Sequence, residues 1–327
     1  MRKKFLTLLL TICTALSVFS GCSDKSTKNE SETTINIGCM KGPTGIGMIK
    51  LLSDSDEGKT TNKYNYTIAG TADEIATKLL KGDLDIAAVP CNLASVLYNK
   101  SEGEILTLAI NTLGVLYIVE AGENITAVGD LKDKTIYSTG QGTTPEYTLR
   151  FLLSSAGLDP DKDVNIQFKS EAPEVLAALK QDSTAVAMLP QPYATVALNS
   201  DKNMRIALDV TKEWENYNDG DTVVTGVLVG RKSFIEESKD TLASFLKEYE
   251  ASTAYANANI DDTAALLEKF DIFKAAIAKK AIPFCNVTFI TGNEMKEKAT
   301  KYLTVLLNEN PASIGGKLQE GMFYLED

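Results

Sequence analysis

Gly42-Pro43-Thr44-Gly45-Ile46-Gly47 follows the apolar residues Ile35, Ile37 and Cys39 and precedes Met48, Ile49, Leu51 and Leu52. This reads as a strand, a tight glycine-rich turn and a helix. Such a turn lets the backbone approach a bound group and presents N–H donors at a helix start. One hundred residues later the pattern returns. Without a gap, Gly42 falls on Gly142, Thr44 on Thr144, Leu52 on Leu152, Asn65 on Asn165, Glu74 on Glu174, Ala87 on Ala187 and Pro90 on Pro190. Ile75/Val175, Ile86/Val186 and Lys50/Arg150 are conservative exchanges. The register sets turns on turns and strands on strands, so two similar α/β lobes are expected. The loop Gln141-Gly142-Thr143-Thr144-Pro145 mirrors the first loop, and matched loops on two lobes point to a ligand held between them.

Working outward, residues 64–69 read as a strand. Thr71 and Glu74 form a capping box for a helix that should carry Ile75, Leu79 and Leu80 inward and stop at Gly82. Residues 85–89 read as a strand buried on both faces, 90–92 as a turn into a helix, and 104–111 as a further strand. In the second copy, Thr143 or Thr144 caps a helix with Pro145 in its first turn, and Ser170 opens the next helix. Residues 164–168, 185–189 and 204–210 read as strands. Two strongly β runs, 113–120 and 223–230, are expected to be the crossings between lobes. The first lobe is then 34–113 plus 225–327, and the second is 114–224. Residues 234–257, 263–280 and 294–308 look helical and would pack on the first lobe or towards the hinge. Strand–helix alternation at this spacing implies mainly parallel sheets.

The chain has 327 residues, enough for a sizeable core and more than one domain. Its formal net charge is −11, which argues against nucleic acid as a partner. Arg2, Lys3 and Lys4 precede an apolar run from Phe5 to Val18, a secretory signal too short to span a membrane. Phe19-Ser20-Gly21-Cys22 resembles a bacterial lipobox, with Phe19 in place of the usual Leu and Cys22 as the lipidated residue. Residues 1–21 are then a signal peptide and 22–33, polar and charged, a lipidated tether. Cys39, Cys91 and Cys285 stand far apart in apolar contexts without metal-ligand spacing, so no metal or other cofactor is expected.

The chain contains no histidine, which removes histidine-based nucleophilic triads and histidine metal ligands. The glycine-rich loop lacks the ending of a phosphate-binding loop, and the segment from Glu215 to Gly220 reads as a solvated turn rather than a calcium loop. In parallel α/β sheets, ligands sit beyond the carboxyl ends of the strands. There stand Gly42, Pro43, Thr44, Gly45, Thr71, Asn92, Gly142, Thr143, Thr144, Gln191 and Tyr193, with Tyr117 on the first crossing. For each a structural role competes: caps for Thr71 and Thr144, turns for Asn92 and Gln191, core packing for Tyr117 and Tyr193. As a ligand site, backbone N–H groups with Thr44, Thr144 and Asn92 would grip an acidic or electronegative group. Tyr193 and Tyr117 would cover an apolar or heteroaromatic part.

Three segments carry a family resemblance: Gly70-Thr71-Ala72-Asp73-Glu74, Lys81-Gly82-Asp83-Leu84-Asp85-Ile86-Ala87, and Leu189-Pro190-Gln191-Pro192-Tyr193-Ala194. With the signal and tether, the chain resembles the solute-binding lipoproteins of ABC importers. More narrowly, it is similar to the nitrate-, taurine-, alkanesulfonate- and thiamine-pyrimidine-precursor-binding proteins. The resemblance covers about residues 34–260. It implies a type II periplasmic-binding-protein fold hinged at two crossing strands, a small solute closed between lobes, and delivery to a membrane permease. The expected protein is a monomer, extracytoplasmic and lipid-anchored, and not an enzyme. Its alternatives are an enzyme on the same fold, a lyase of small carboxylates, or a sensor-type ligand-binding domain.

Overall fold

A computed structural model describes residues 34–325 apart from Ser183. The signal peptide, the lipobox with Cys22 and the tether lie outside the described residues. The chain opens with β1 (Thr34–Met40), a helical turn α1 (Pro43–Ile46), α2 (Ile49–Asp56), β2 (Lys63–Ala69), α3 (Ala72–Lys81), β3 (Ile86–Pro90), α4 (Cys91–Lys100) and β4 (Ile105–Leu113). It continues with β5 (Leu116–Ala121), β6 (Thr135–Ser138), α5 (Thr144–Ser155), β7 (Asn165–Phe168), α6 (Ala172–Gln181), β8 (Val186–Pro190), α7 (Tyr193–Ser200), β9 (Met204–Asp209) and α8 (Val210–Tyr217). The last part holds β10 (Val224–Arg231), α9 (Lys232–Glu237), α10 (Lys239–Ala258), α11 (Ile260–Lys269), α12 (Ala275–Ala281), β11 (Val287–Ile290) and α13 (Gly292–Glu309).

These strands form two mixed sheets of like order, β11-β4-β10-β3-β1-β2 and β7-β6-β8-β5-β9. In each, three parallel strands are joined by one antiparallel strand that arrives from a crossing, β10 in the first sheet and β5 in the second. The helices cover both faces, so strands such as β3 and β8 are buried along their length and carry apolar residues without alternation. Ion pairs on buried carboxylates pin the inserted strands. Arg231 at the end of β10 meets Asp85 at 2.6 Å, and Arg205 on β9 meets Glu120 on β5 at 2.5 Å. Glu120 also accepts from the backbone N–H groups of Asn124 and Ile125, which satisfies its remaining lone pairs.

The internal match is structural, with slips of one residue at the first strands and between β4 and β9. Helices α3 and α6, and strands β3 and β8, lie one hundred residues apart. The first strands do not. Ile37 pairs with Ile86, whereas Ile136 pairs with Val186, and Asn36 pairs with Asn65 whereas Thr135 pairs with Asn165. The second copy therefore carries one extra residue after β6, and the sequence match resumes at Gly142. The two threonines of the match also differ in place, Thr44 being the second residue of α1 and Thr144 the first of α5.

Several local expectations are corrected. Leu80 is 47% exposed, because Ile75 and Leu79 define the inward stripe of α3 and Leu80 is rotated off it. The β run 113–120 is broken at Gly114 and Val115, where the chain passes from β4 in one sheet to β5 in the other. The segment read as a solvated turn from Glu215 begins inside a helix, since α8 extends to Tyr217. Beyond Arg231 the chain is not helical throughout. The strand β11 adds to the edge of the first sheet, and two of the expected long helices are each divided, at Ser238 and between Lys269 and Ala275.

Candidate functional site

The carboxyl ends of the two sets of parallel strands face each other, and one hydrogen bond joins them directly. Thr144, opening α5, donates its hydroxyl to Oδ1 of Asn92 at the start of α4, at 3.1 Å. Both residues are buried. The Asn92 amide is used at its other end as well, donating from Nδ2 to the Ser313 carbonyl at 3.0 Å. One turn further along α5, the Thr148 hydroxyl lies 3.3 Å from that of Tyr302 on α13.

A second cluster surrounds Thr44. Its carbonyl accepts from Asn111 Nδ2 at 3.1 Å, and the same nitrogen lies 3.3 Å from the Tyr249 hydroxyl. Thr112 donates its hydroxyl to Asn111 Oδ1 at 3.0 Å. The β10 backbone passes close by at Gly226, where a Cβ would stand 2.5 Å from Thr44 Cγ2 and 2.6 Å from Asn111 Oδ1. Gly45 is constrained likewise, since a Cβ there would meet the Met40 carbonyl at 2.6 Å. The Thr44 hydroxyl itself is buried and has no partner among the described residues.

Gln191 lies beyond the end of β8, the counterpart of β3 in the second sheet. Its N–H donates to the Val115 carbonyl at 3.0 Å, and its Oε1 accepts from the hydroxyl of Thr195 at 2.8 Å. Its Nε2 is buried without a partner among the described residues, as is the Thr225 hydroxyl at the start of β10. Burying polar groups without partners is costly, so such groups mark places where a bound molecule could complete the bonding.

The remaining candidates take no part in these side-chain hydrogen bonds. Thr71 is exposed and accepts from Glu74 N–H at 3.4 Å as the cap of α3. Gly42 is buried, and Pro43 beside it is half-buried. Gly142 is exposed, and its N–H donates to Oε2 of Glu146 at 2.7 Å. Thr143 stands at the cap position of α5 but donates its hydroxyl backward to the Gly140 carbonyl at 2.7 Å. Tyr117 donates to the Phe284 carbonyl at 3.0 Å, and Tyr193 is half-buried at the start of α7. Burial pushes the phenol pKa of both tyrosines upward, with Asp209 adding to the effect at Tyr117 and Glu171 at Tyr193. Both therefore stay neutral at physiological pH.

Asn111, Thr112, Thr225, Tyr249 and Tyr302 are not among the sequence candidates. Asn111 and Thr112 do carry a signal, as a polar pair ending an apolar strand. So does Thr225, which interrupts a run of valines. Tyr249 and Tyr302 carry none, because they sit on apolar helical stripes that read as core.

Comparison with known proteins places this geometry. The family model described as "ABC transporter, phosphonate, periplasmic substrate-binding protein" matches residues 57–281. Among solved structures, an ABC transporter from Parabacteroides distasonis is similar with a TM-score of 0.76 and 24% identity, over 90% of this chain and 100% of that one. The periplasmic aliphatic sulphonate binding protein SsuA from Escherichia coli is similar with a TM-score of 0.72 and 17% identity, over 90% and 92%. The periplasmic nitrate-binding protein NrtA from Synechocystis follows with 0.61 and 13%, over 86% and 82%. No curated protein matches the sequence. At these identities the structural likenesses establish the fold.

Proposed function

The chain belongs to the family of ABC-transporter periplasmic substrate-binding proteins of the phosphonate type, and from that premise we propose that it is a lipid-anchored, monomeric receptor that closes two lobes on a small acidic or heteroaromatic solute. The first lobe comprises 34–113 and 225–327, the second 114–224, and the solute passes to an ABC permease. The chain performs no chemistry on what it binds. Its candidate hydroxyls have no histidine to activate them, since the sequence contains none. The relatives that bind sulphonate and nitrate support the acidic class.

The observation that carries this reading is the set of buried, unpartnered groups at matching ends of the two sheets, Thr44 Oγ1 and Gln191 Nε2. A solute at one hundred times its dissociation constant adds about 2.7 kcal/mol to stability. That corresponds to a rise of about 5–10 °C in melting temperature. Thr44→Val removes the hydroxyl at nearly constant volume. Because that hydroxyl is unpaired in the free protein, the unliganded melting temperature should hold or rise. The solute-induced rise should shrink, and a variant that keeps the full rise places the site elsewhere.

The anchor is tested separately. After high-salt washing, wild type should stay with the membrane fraction and Cys22→Ser should leave it. Equal retention of both removes Cys22 from the proposal. Among the described residues no helix is long and apolar enough to cross a membrane.

A further inference from the structure

Resting on the two-lobed receptor reading above and adding a role for two of its residues, we propose that Asn92 and Thr144 clasp the lobes to each other and draw them together before a solute arrives. Asn92 is the second residue of α4, which follows β3 of the first sheet, and Thr144 is the first of α5, which follows β6 of the second. Their side chains meet at 3.1 Å and are 4% and 3% exposed. A hinge motion that parts the two sheets must break this bond and wet both side chains.

The polarity of the bond is fixed. A carbonyl oxygen only accepts, so the Ser313 carbonyl, 3.0 Å away, identifies the Asn92 atom facing it as the Nδ2 donor. Oδ1 then faces Thr144, and the Thr144 hydroxyl directs its single proton there, leaving none to donate to a solute. Each side of the clasp is held from behind. Ser313 lies in the short helical turn Pro311–Ile314, and the Ile314 carbonyl accepts from Ser95 Oγ of α4 at 2.9 Å, so the turn is fastened along the helix that carries Asn92. Behind Thr144, the hydroxyls of Thr148 and Tyr302 lie 3.3 Å apart. Neither residue needs the clasp for its own helix. Thr143, not Thr144, stands at the cap position of α5, and Pro90 stands at that of α4. Other bonds between the lobes are placed differently. Lys301 pairs with Asp221 at 2.8 Å on the exposed rim, where an ion pair contributes little. Tyr117 reaches the Phe284 carbonyl just beyond the first crossing, near the pivot.

The test puts one spin label on each lobe of the full-length chain in detergent. An azide-bearing amino acid replaces Thr77 on α3 and Ala177 on α6, both exposed, and carries the label. Carried solute is washed away in urea, and pulsed dipolar spectroscopy reads the distance between the labels. Wild type should populate the distance set by this structure before any solute is added. Thr144→Val should lower the ratio of that distance to a longer one about twofold to tenfold, as expected for one net hydrogen bond. Thr144→Ser, which keeps the hydroxyl, should leave the ratio unchanged. In an Asn92→Ala background, Thr144→Val should add nothing further. A role in folding alone would lower the melting temperature without moving the ratio. If two distances appear but Thr144→Val keeps the wild-type ratio, the clasp is overturned and the receptor reading stands. The same holds if wild type takes the shorter distance only once methylphosphonate, methanesulfonate or nitrate is added. One fixed distance in every variant, with and without those solutes, means that the lobes do not move, and both readings fail.

Discussion

Gly114→Ala should melt about 2–12 °C below the wild type, and most of that loss should return when Thr211 is also replaced by glycine. A Cβ at position 114 would stand 1.8 Å from Thr211 Oγ1, 2.9 Å from its Cβ and 3.1 Å from its Cγ2. Neither side can easily retreat. Thr211 is β-branched and lies in the first turn of α8, where its N–H donates to Asp209 Oδ1 at 3.0 Å. Gly114 is held from the other side, its carbonyl accepting from Asn286 Nδ2 at 2.5 Å and its neighbour Leu113 donating to the Asn286 carbonyl at 3.1 Å. Overpacking of this kind costs about 1–3 kcal/mol, and each kcal/mol moves the melting temperature of a domain this large by about 2–4 °C. Thr211→Ala removes Oγ1 and Cγ2 but keeps the Cβ, so its rescue should be partial. A double-mutant cycle read from urea melts separates this contact from unrelated effects. If Gly114→Ala is as stable as wild type, the first crossing is looser than the packing around it indicates.

Much of the fold was legible because the chain states it twice. A gap-free shift of one hundred residues finds α3 on α6 and β3 on β8, and it slips by one residue at the first strand and again between β4 and β9. Those slips were invisible in the sequence. A single residue added to or lost from a loop leaves the apolar pattern on both sides intact, and only the strand register reveals it. The C-terminal part was less legible. Residues 287–290 form an edge strand too short to outweigh the helical pattern around them.

Among the candidate residues, some of the contacts were legible in the sequence and the bonding of their side chains was not. Thr144 and Asn92 do meet, but they hydrogen-bond to each other. Hydroxyl and amide side chains at helix starts look the same in a sequence whether they await a ligand or tie two lobes together. What distinguishes Thr44 and Gln191 is the absence of a partner for a buried atom, a property of three-dimensional packing alone. Glu146 shows the same limit from the other side. Its position in the first turn of α5 is plain from the sequence, yet only the fold shows that its carboxylate reaches Gly142 N–H.

Trp214→Ala should cost about 3–5 kcal/mol, the usual range for truncating a buried large aromatic, and lower the melting temperature by about 6–20 °C. Trp214 on α8 is fully buried, its ring 4.3 Å from that of Phe151 on α5 and 5.3 Å from that of Tyr302 on α13. Helices α5 and α8 follow strands of the second sheet, while α13 also lies against β4 and β10 of the first. The three rings therefore fasten one sheet's helices to the other's. Trp214→Phe should lose much less than Trp214→Ala. It keeps an aromatic face in the stack and removes an indole N–H that is buried without a partner among the described residues. The position is also its own reporter, because the chain contains a single tryptophan. If solute binding moves the lobes about the crossings, the strain falls on this stack, and tryptophan emission should shift on saturation. A Trp214→Ala variant within about 1 kcal/mol of wild type, below the range for such a truncation, would mean that the lobes are joined through the crossings alone and that α13 rides with the first sheet.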